Sequence, residues 1–175
     1  QGHFCRFVSL LNLGDIPAVN LEIDAIAHLA EELRQPYHLG QTMMIRTMRA
    51  LLEGRYEESE RLAQQALVIG QRLGDPNAIQ SFGVQTGMLR REQGRFHEME
   101  AAVKGFAQQF PAVPTWRCGV ALLHREAGRR AEARNEFERL AANDFADLPK
   151  DRNWLFAVAI LSEVCAFVGD ARRAA

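Results

Sequence analysis

The sequence predicts an all-α fold, a solenoid of antiparallel helix hairpins with about nine helices. Three observations predict it. A glycine-centred phrase recurs at near-regular intervals, prolines punctuate the gaps between its copies, and apolar residues follow the helical period with no window of strand alternation.

The phrase ends one helix at a glycine and starts another two or three residues later. It reads Gly54-Arg55-Tyr56-Glu57-Glu58-Ser59, then Gly94-Arg95-Phe96-His97-Glu98-Met99, then Gly128-Arg129-Arg130-Ala131-Glu132-Ala133. Weaker copies are Gly14-Asp15-Ile16 and Gly169-Asp170-Ala171, so the steps are 40, 40, 34 and 41 residues. Glycine closes a helix because it enters the left-handed conformation without a Cβ penalty. A connection this short makes the two flanking helices antiparallel neighbours.

The intervals between hairpins carry Gln35-Pro36, Gly74-Asp75-Pro76, Pro111 with Pro114, and Pro149. Proline removes a backbone donor and disfavours helix in the residue before it, so each marks the passage from one hairpin to the next. Helices are therefore expected over about 4–13, 17–34, 37–53, 56–73, 77–93, 96–110, 115–127, 131–142 and 151–168, the chain then stopping just inside a further helix. Gln1-Gly2-His3 reads as the remnant of a cleavable tag, leaving 4–175 as one repeat domain with repeats at about 4–35, 36–75, 76–111, 112–148 and 149–175. Apolar stripes support the helices: Leu62, Ala66, Leu67, Ile69 and Leu73 in one, Val19, Ile23, Ile26, Ala27, Ala30 and Leu33 in another. One hairpin cannot bury such a stripe alone, and a neighbouring hairpin has to cover it.

The bulk properties exclude several functional classes. The 175 residues hold 21 Lys plus Arg and 22 Asp plus Glu, so a net charge of −1 gives no field for nucleic acid or an anionic membrane. Apolar runs such as Trp154 to Ile160 are far short of a span. Cys5, Cys118 and Cys165 are odd in number and widely spaced, which implies no disulfide framework and suits a reducing cytoplasm.

The same residues resemble the tetratricopeptide-repeat family across nearly the whole chain. Gly87 and Ala121 stand at the small position of a first helix, Gly54 with Tyr56 and Gly94 with Phe96 match the turn, and Ala63, Ala66 and Ala133 match small positions of a second helix. Met99 and Phe106 depart from that pattern, as does Arg130 where an aromatic is usual, and the steps near 40 suit a longer-helix variant. A narrower resemblance runs through Ala50-Leu51-Leu52-Glu53-Gly54-Arg55-Tyr56-Glu57-Glu58, Gly74-Asp75-Pro76-Asn77, Leu89-Arg90-Arg91-Glu92-Gln93-Gly94-Arg95 and Asp151-Arg152-Asn153-Trp154-Leu155. These segments look like the C-terminal repeat region of multidomain bacterial signalling ATPases that carry a nucleotide cyclase or a LuxR-type DNA-binding domain. The resemblance implies a right-handed solenoid acting in signal transduction or transcription regulation.

In such arrays the first helix of each hairpin lines a concave groove. On that basis Met44, Met48, Val84, Met88, Arg91, Cys118, Leu122 and Arg125 are the expected partner-binding residues, with Ala159 and Glu163 continuing the line. The trough suits a peptide, an amphipathic helix or a sister domain of the parent chain, because methionine adapts to varied apolar partners. The alternative is that these methionines simply pack between helices. A second reading closes the trough over a small anionic ligand held by Arg91 and Arg125.

No catalytic set, cofactor or metal is expected. His3, His28, His38, His97 and His124 include no pair spaced to ligate from one helix face, and His124 falls on a helix expected to be buried. Cys118 and Cys165 lie in apolar stretches and read as core residues. The glycines form no phosphate loop. The doublets Arg90-Arg91, Arg129-Arg130 and Arg172-Arg173 are expected to pair with glutamates rather than phosphates. A truncated last hairpin leaves an apolar face able to drive self-association.

Overall fold

The computed structural model describes residues 2–151 and 153–173; Gln1, expected from the sequence to belong to a tag remnant, Arg152, which the sequence places in the narrower resemblance, and Ala174-Ala175 lie outside them. The described residues form nine α-helices and no strand: α1 (Gly2–Leu13), α2 (Ile16–Leu33), α3 (Pro36–Leu52), α4 (Tyr56–Arg72), α5 (Pro76–Glu92), α6 (Glu100–Gln109), α7 (Thr115–Glu126), α8 (Arg130–Leu140) and α9 (Trp154–Val168).

One turn geometry closes all five predicted phrases. Gly14, Gly54, Gly94, Gly128 and Gly169 have φ of +73°, +73°, +70°, +70° and +74°. After each glycine the next amide reaches back five residues: Asp15 to the Leu10 carbonyl (3.1 Å), Arg55 to Ala50 (2.9 Å), Arg95 to Arg90 (2.7 Å), Arg129 to His124 (2.8 Å) and Asp170 to Cys165 (3.2 Å). This 6→1 bond caps carbonyls that the ending helix cannot satisfy, and only glycine takes the required φ without strain. Gly74, at φ +66°, repeats the bond between α4 and α5, with the Asp75 amide on the Gly70 carbonyl at 2.9 Å.

Pro36 and Pro76 open α3 and α5, and Pro17 lies in the first turn of α2. These three prolines stand where a helix needs no amide donor, Pro114 directly precedes α7, and Pro111 and Pro149 lie between helices, as expected of residues that separate one hairpin from the next. Asp15 caps α2, its carboxylate accepting the Ala18 amide at 3.1 Å. Two expected helices change at their ends. The third return helix opens as a 3-10 turn, Phe96–Met99, before α6, where Arg95 leaves the backbone angles shared by Asp15, Arg55 and Arg129. Helix α8 stops at Leu140, short of Ala142, and Asn143, Asp144 and Phe145 follow in left-handed conformation with φ of 53°, 51° and 62°.

The chain divides into two compact units, Gln1–Leu89 and Arg90–Ala175. In the first, α1 packs on α2, α2 on α3 and α3 on α4. Phe7, Val19, Ile23 and Ile45 form its core, with Leu10, Leu11, Ile26 and Met48 against it. The buried Ser59 hydroxyl donates to the Thr47 carbonyl at 3.2 Å, tying α4 to α3. Helices α4 and α5 approach to backbone contact, since a Cβ built on Gly70 would stand 2.2 Å from that of Ala78.

In the second unit α7 packs on α6, α8 and α9. Trp116, Cys118, Val120, Ala121, Leu122, Leu123 and His124 are all buried on it. Phe106 stacks on Trp116 with ring centroids 4.4 Å apart, and Phe137 meets Phe145 edge-on at 5.8 Å. Ala63, Gly87, Ala121 and Ala133 are buried, and Ala66 is half-buried.

Candidate functional site

The expected groove residues separate into two chemistries. Met44 and Met48 on α3, with Val84 and Met88 on α5, belong to the first unit and are all half-buried. The two helices are tied directly, because the Gln85 side chain donates to the Met44 carbonyl at 2.7 Å. Tyr37, Gln41 and Met44 fall on one side of α3 and line a crevice with Ala66, Phe82 and Gln85. It encloses about 60 Å³, room for a few waters and far below the several hundred Å³ of a metabolite site.

In the second unit the expectation needs correction. Cys118 and Leu122 are completely buried, at 0% exposure, so neither lines a surface. The reason is that α7 is covered on three sides by α6, α8 and α9, and its periodicity marks no open face. Burial pushes the Cys118 thiol up to about 12, and burial also raises Cys165, so neither is a thiolate nucleophile near neutrality.

Arg91 and Arg125 are brought together, but by carboxylates. Arg91 pairs with Glu126 at 3.1 Å through Nε and with Glu163 through Nη2. Arg125 pairs with the same two groups, at 2.6 Å to Glu126 and 3.3 Å to Glu163. Two cations and two anions thus close a ring that joins the C-terminal ends of α5 and α7 to the middle of α9. Burial pulls the Arg91 pKa down, but its bonds to Glu163 and Glu126 outweigh this and hold it above the ordinary value. The ring is neutral in sum, and an incoming anion would have to displace a carboxylate already bonded to each arginine.

A second cluster lies beside it. Glu100 accepts two bonds from Arg129, both at 3.0 Å, and one from Lys104 at 2.6 Å. Arg129 first and Lys104 second lower the Glu100 pKa to about 2. The two clusters border a cleft of about 130 Å³ lined by Arg91, Phe96, His97, Glu100, Glu126 and Arg129. His124 is buried, and its Nδ1 has no hydrogen-bond partner among the described residues. Burial lowers its pKa, and the charges of Arg129 and Lys104 lower it further.

Arg91, Arg129 and Arg173 of the arginine doublets pair with glutamates, as expected, but with ones remote in sequence rather than neighbouring. Arg130 donates to the Val168 carbonyl at 3.2 Å, and Arg173 pairs with Glu138 at 3.0 Å and Asp170 at 2.6 Å. Sequence reasoning missed Glu126, and it placed Glu163 on the groove line without pairing it to Arg91; the two glutamates meet Arg91 across 35 and 72 residues, where no local spacing signals them. Among the described residues no group of three His, Cys, Asp or Glu side chains could hold a metal ion, and no helix is long and apolar enough to cross a membrane.

Fold and site together define a class, an all-α protein of successive helix hairpins joined by one repeated glycine turn. No family model matches the chain, and comparison with curated proteins and with solved structures finds no match.

Proposed function

We propose that the chain is a tetratricopeptide-like interaction module, a non-catalytic cytoplasmic arm of a larger bacterial signalling or transcription-regulating ATPase. Its partner is a peptide, a helix or a sister domain, docked on the Met44, Met48, Val84 and Met88 face of the first unit. The observation that carries this reading is the pairing of two helices, tied by Gln85 and Met44, that present half-buried flexible apolar side chains. Methionine's unbranched, polarizable side chain repacks around different apolar surfaces at little cost. The solenoid arrangement belongs to the same proposal and rests on the recurrence of one turn.

The small-ligand alternative has weaker support, since Arg91 and Arg125 already hold Glu126 and Glu163 and the methionine-side crevice is small. Photo-crosslinking tests the proposal. A photoreactive residue at Met88 should capture a protein partner, whereas one at the exposed Gln64 on α4 should not. Capture should disappear when Met44 and Met48 are both changed to Glu with the melting temperature preserved. Equal capture from both positions would refute the assignment.

A further inference from the structure

Helix α9 carries one charged side chain, Glu163, and that group is held by Arg91 and Arg125. Its buried residues, Ala157, Ile160, Leu161, Val164, Cys165 and Val168, occupy one side. The opposite side presents Leu155, Val158, Ala159, Ser162 and Ala166, all exposed and all uncharged. Leu155 is 67% exposed and Val158 40%, so three turns of helix show water a surface with no charge to solvate it. The Ser162 hydroxyl is turned back onto the Ala159 carbonyl at 2.8 Å, which leaves even this group internally satisfied.

We propose that this face binds the same face of a second copy of the chain, with the two α9 helices antiparallel about a two-fold axis near residues 160 and 161. The face is its own complement in shape: its large residues, Leu155 and Val158, stand at the N-terminal end and its small ones, Ser162 and Ala166, at the C-terminal end. Antiparallel pairing sets Leu155 of one copy on Ala166 of the other and Val158 on Ser162, filling each gap with a bulk. It is also its own complement in charge. No charge inside the face repels its copy. Beyond the face, the exposed Lys150 and Asp151 at one end lie near the partner's exposed Arg172 at the other, bringing Asp151 toward that arginine, while Asp170 stays paired with its own Arg173 at 2.6 Å. The helix dipoles oppose, which favours the antiparallel sense.

The area sets the strength. Five side chains a side bury on the order of 600–800 Å² in all, below the roughly 1,200–2,000 Å² of a stable complex, so the dimer is weak and forms in the range of about 10 µM to 1 mM. The antiparallel register also sets distances. Two copies of residue 162 lie about 4.5 Å apart along the axis, and two copies of residue 166 about 16 Å apart. With axes about 8 Å apart at small residues, the first pair has Cα atoms about 5–6 Å apart, within disulfide reach.

Sedimentation equilibrium and single-cysteine cross-linking test this. The weight-average mass should rise toward that of a dimer between about 10 µM and 1 mM, and Leu155→Glu should hold it at the monomer. Circular dichroism and Ala166→Arg, a smaller perturbation at the far end of the face, distinguish lost contact from lost folding. Cys5 is exposed, so cross-linking uses a Cys5→Ser background, with Cys118 and Cys165 buried. There Ser162→Cys should form a disulfide dimer on mild oxidation, and Ala166→Cys should form at least tenfold less. A mass independent of concentration, a dimer that survives both Leu155→Glu and Ala166→Arg, or equal cross-linking at the two positions would overturn the proposal.

Discussion

The two compact units use the same helix hairpin and the same glycine turn but line their first helices differently. In the first, α3 and α5 carry Met44, Met48, Val84 and Met88, half-buried and held by dispersion and by the Gln85 side-chain bond to the Met44 carbonyl. In the second, the matching positions on α7, Cys118 and Leu122, are buried, and the accessible part of the line is Arg125, closed with Arg91 from the end of α5 into a ring with Glu126 and Glu163. A soft apolar lining can repack around a visitor. A closed ring of paired charges has directional bonds to lose and resists change. The comparison teaches that the turn phrase determines the hairpin and leaves the chemistry of its lining free.

The largest way to break the comparison lies in the first unit. Gly70→Ala puts a methyl group into the Ala78 contact and should cost about 2–3 kcal/mol as α4 and α5 are forced apart, read from denaturant unfolding. Next come the turns, which the account treats as equivalent. Gly54→Ala and Gly128→Ala each impose a positive φ on a side chain and should each cost about 1–2 kcal/mol. A large difference between them would mean that one turn is held by its surroundings rather than by its own backbone bonds.

The ring sharpens the contrast. Its members are about one-fifth to one-third exposed, so solvent screens them. Glu163→Ala should cost about 1 kcal/mol, and less at 1 M salt. Double-mutant cycles between Arg91 and Glu163 should show coupling, and cycles between Met44 and Met48 much less. His124 gives a pH signature confined to the second unit. Its folded pKa lies below the ordinary 6.5, so the unfolded chain takes up a proton first, and stability falls as pH drops below about 6.5. His124→Gln should flatten that limb of a melting-temperature profile. The smallest effect is expected at the methionines, where Met44→Leu or Met48→Leu should change stability by about 0.5 kcal/mol while altering partner affinity.

The legible parts of this fold were the local ones. The five glycines, the prolines at helix starts and the apolar stripes each act within a few residues, so they could be read in order along the chain. The 3-10 opening at Phe96 and the early stop of α8 were hidden, because Gly94-Arg95-Phe96 has the same local form as Gly54-Arg55-Tyr56 and yet enters its helix differently. The site was half legible. Periodicity grouped Met44 with Met48 and Val84 with Met88, all half-buried, but it assumed that every first helix keeps one open face. Helix α7 is covered on three sides, which buried Cys118 and Leu122. The partners of Arg91 were out of reach for another reason, since long-range ion pairs leave no spacing in the sequence.

The most direct test uses the chain's own methionines as reporters. Met43, Met44, Met48 and Met88 belong to the first unit and Met99 to the second, and their ¹³C-labelled methyl groups can be followed by NMR as the partner captured at Met88 is added. Docking on the soft lining predicts that Met44, Met48 and Met88 shift and saturate together while Met99 stays in place. A spectrum in which Met99 moves and those three do not would contradict the account.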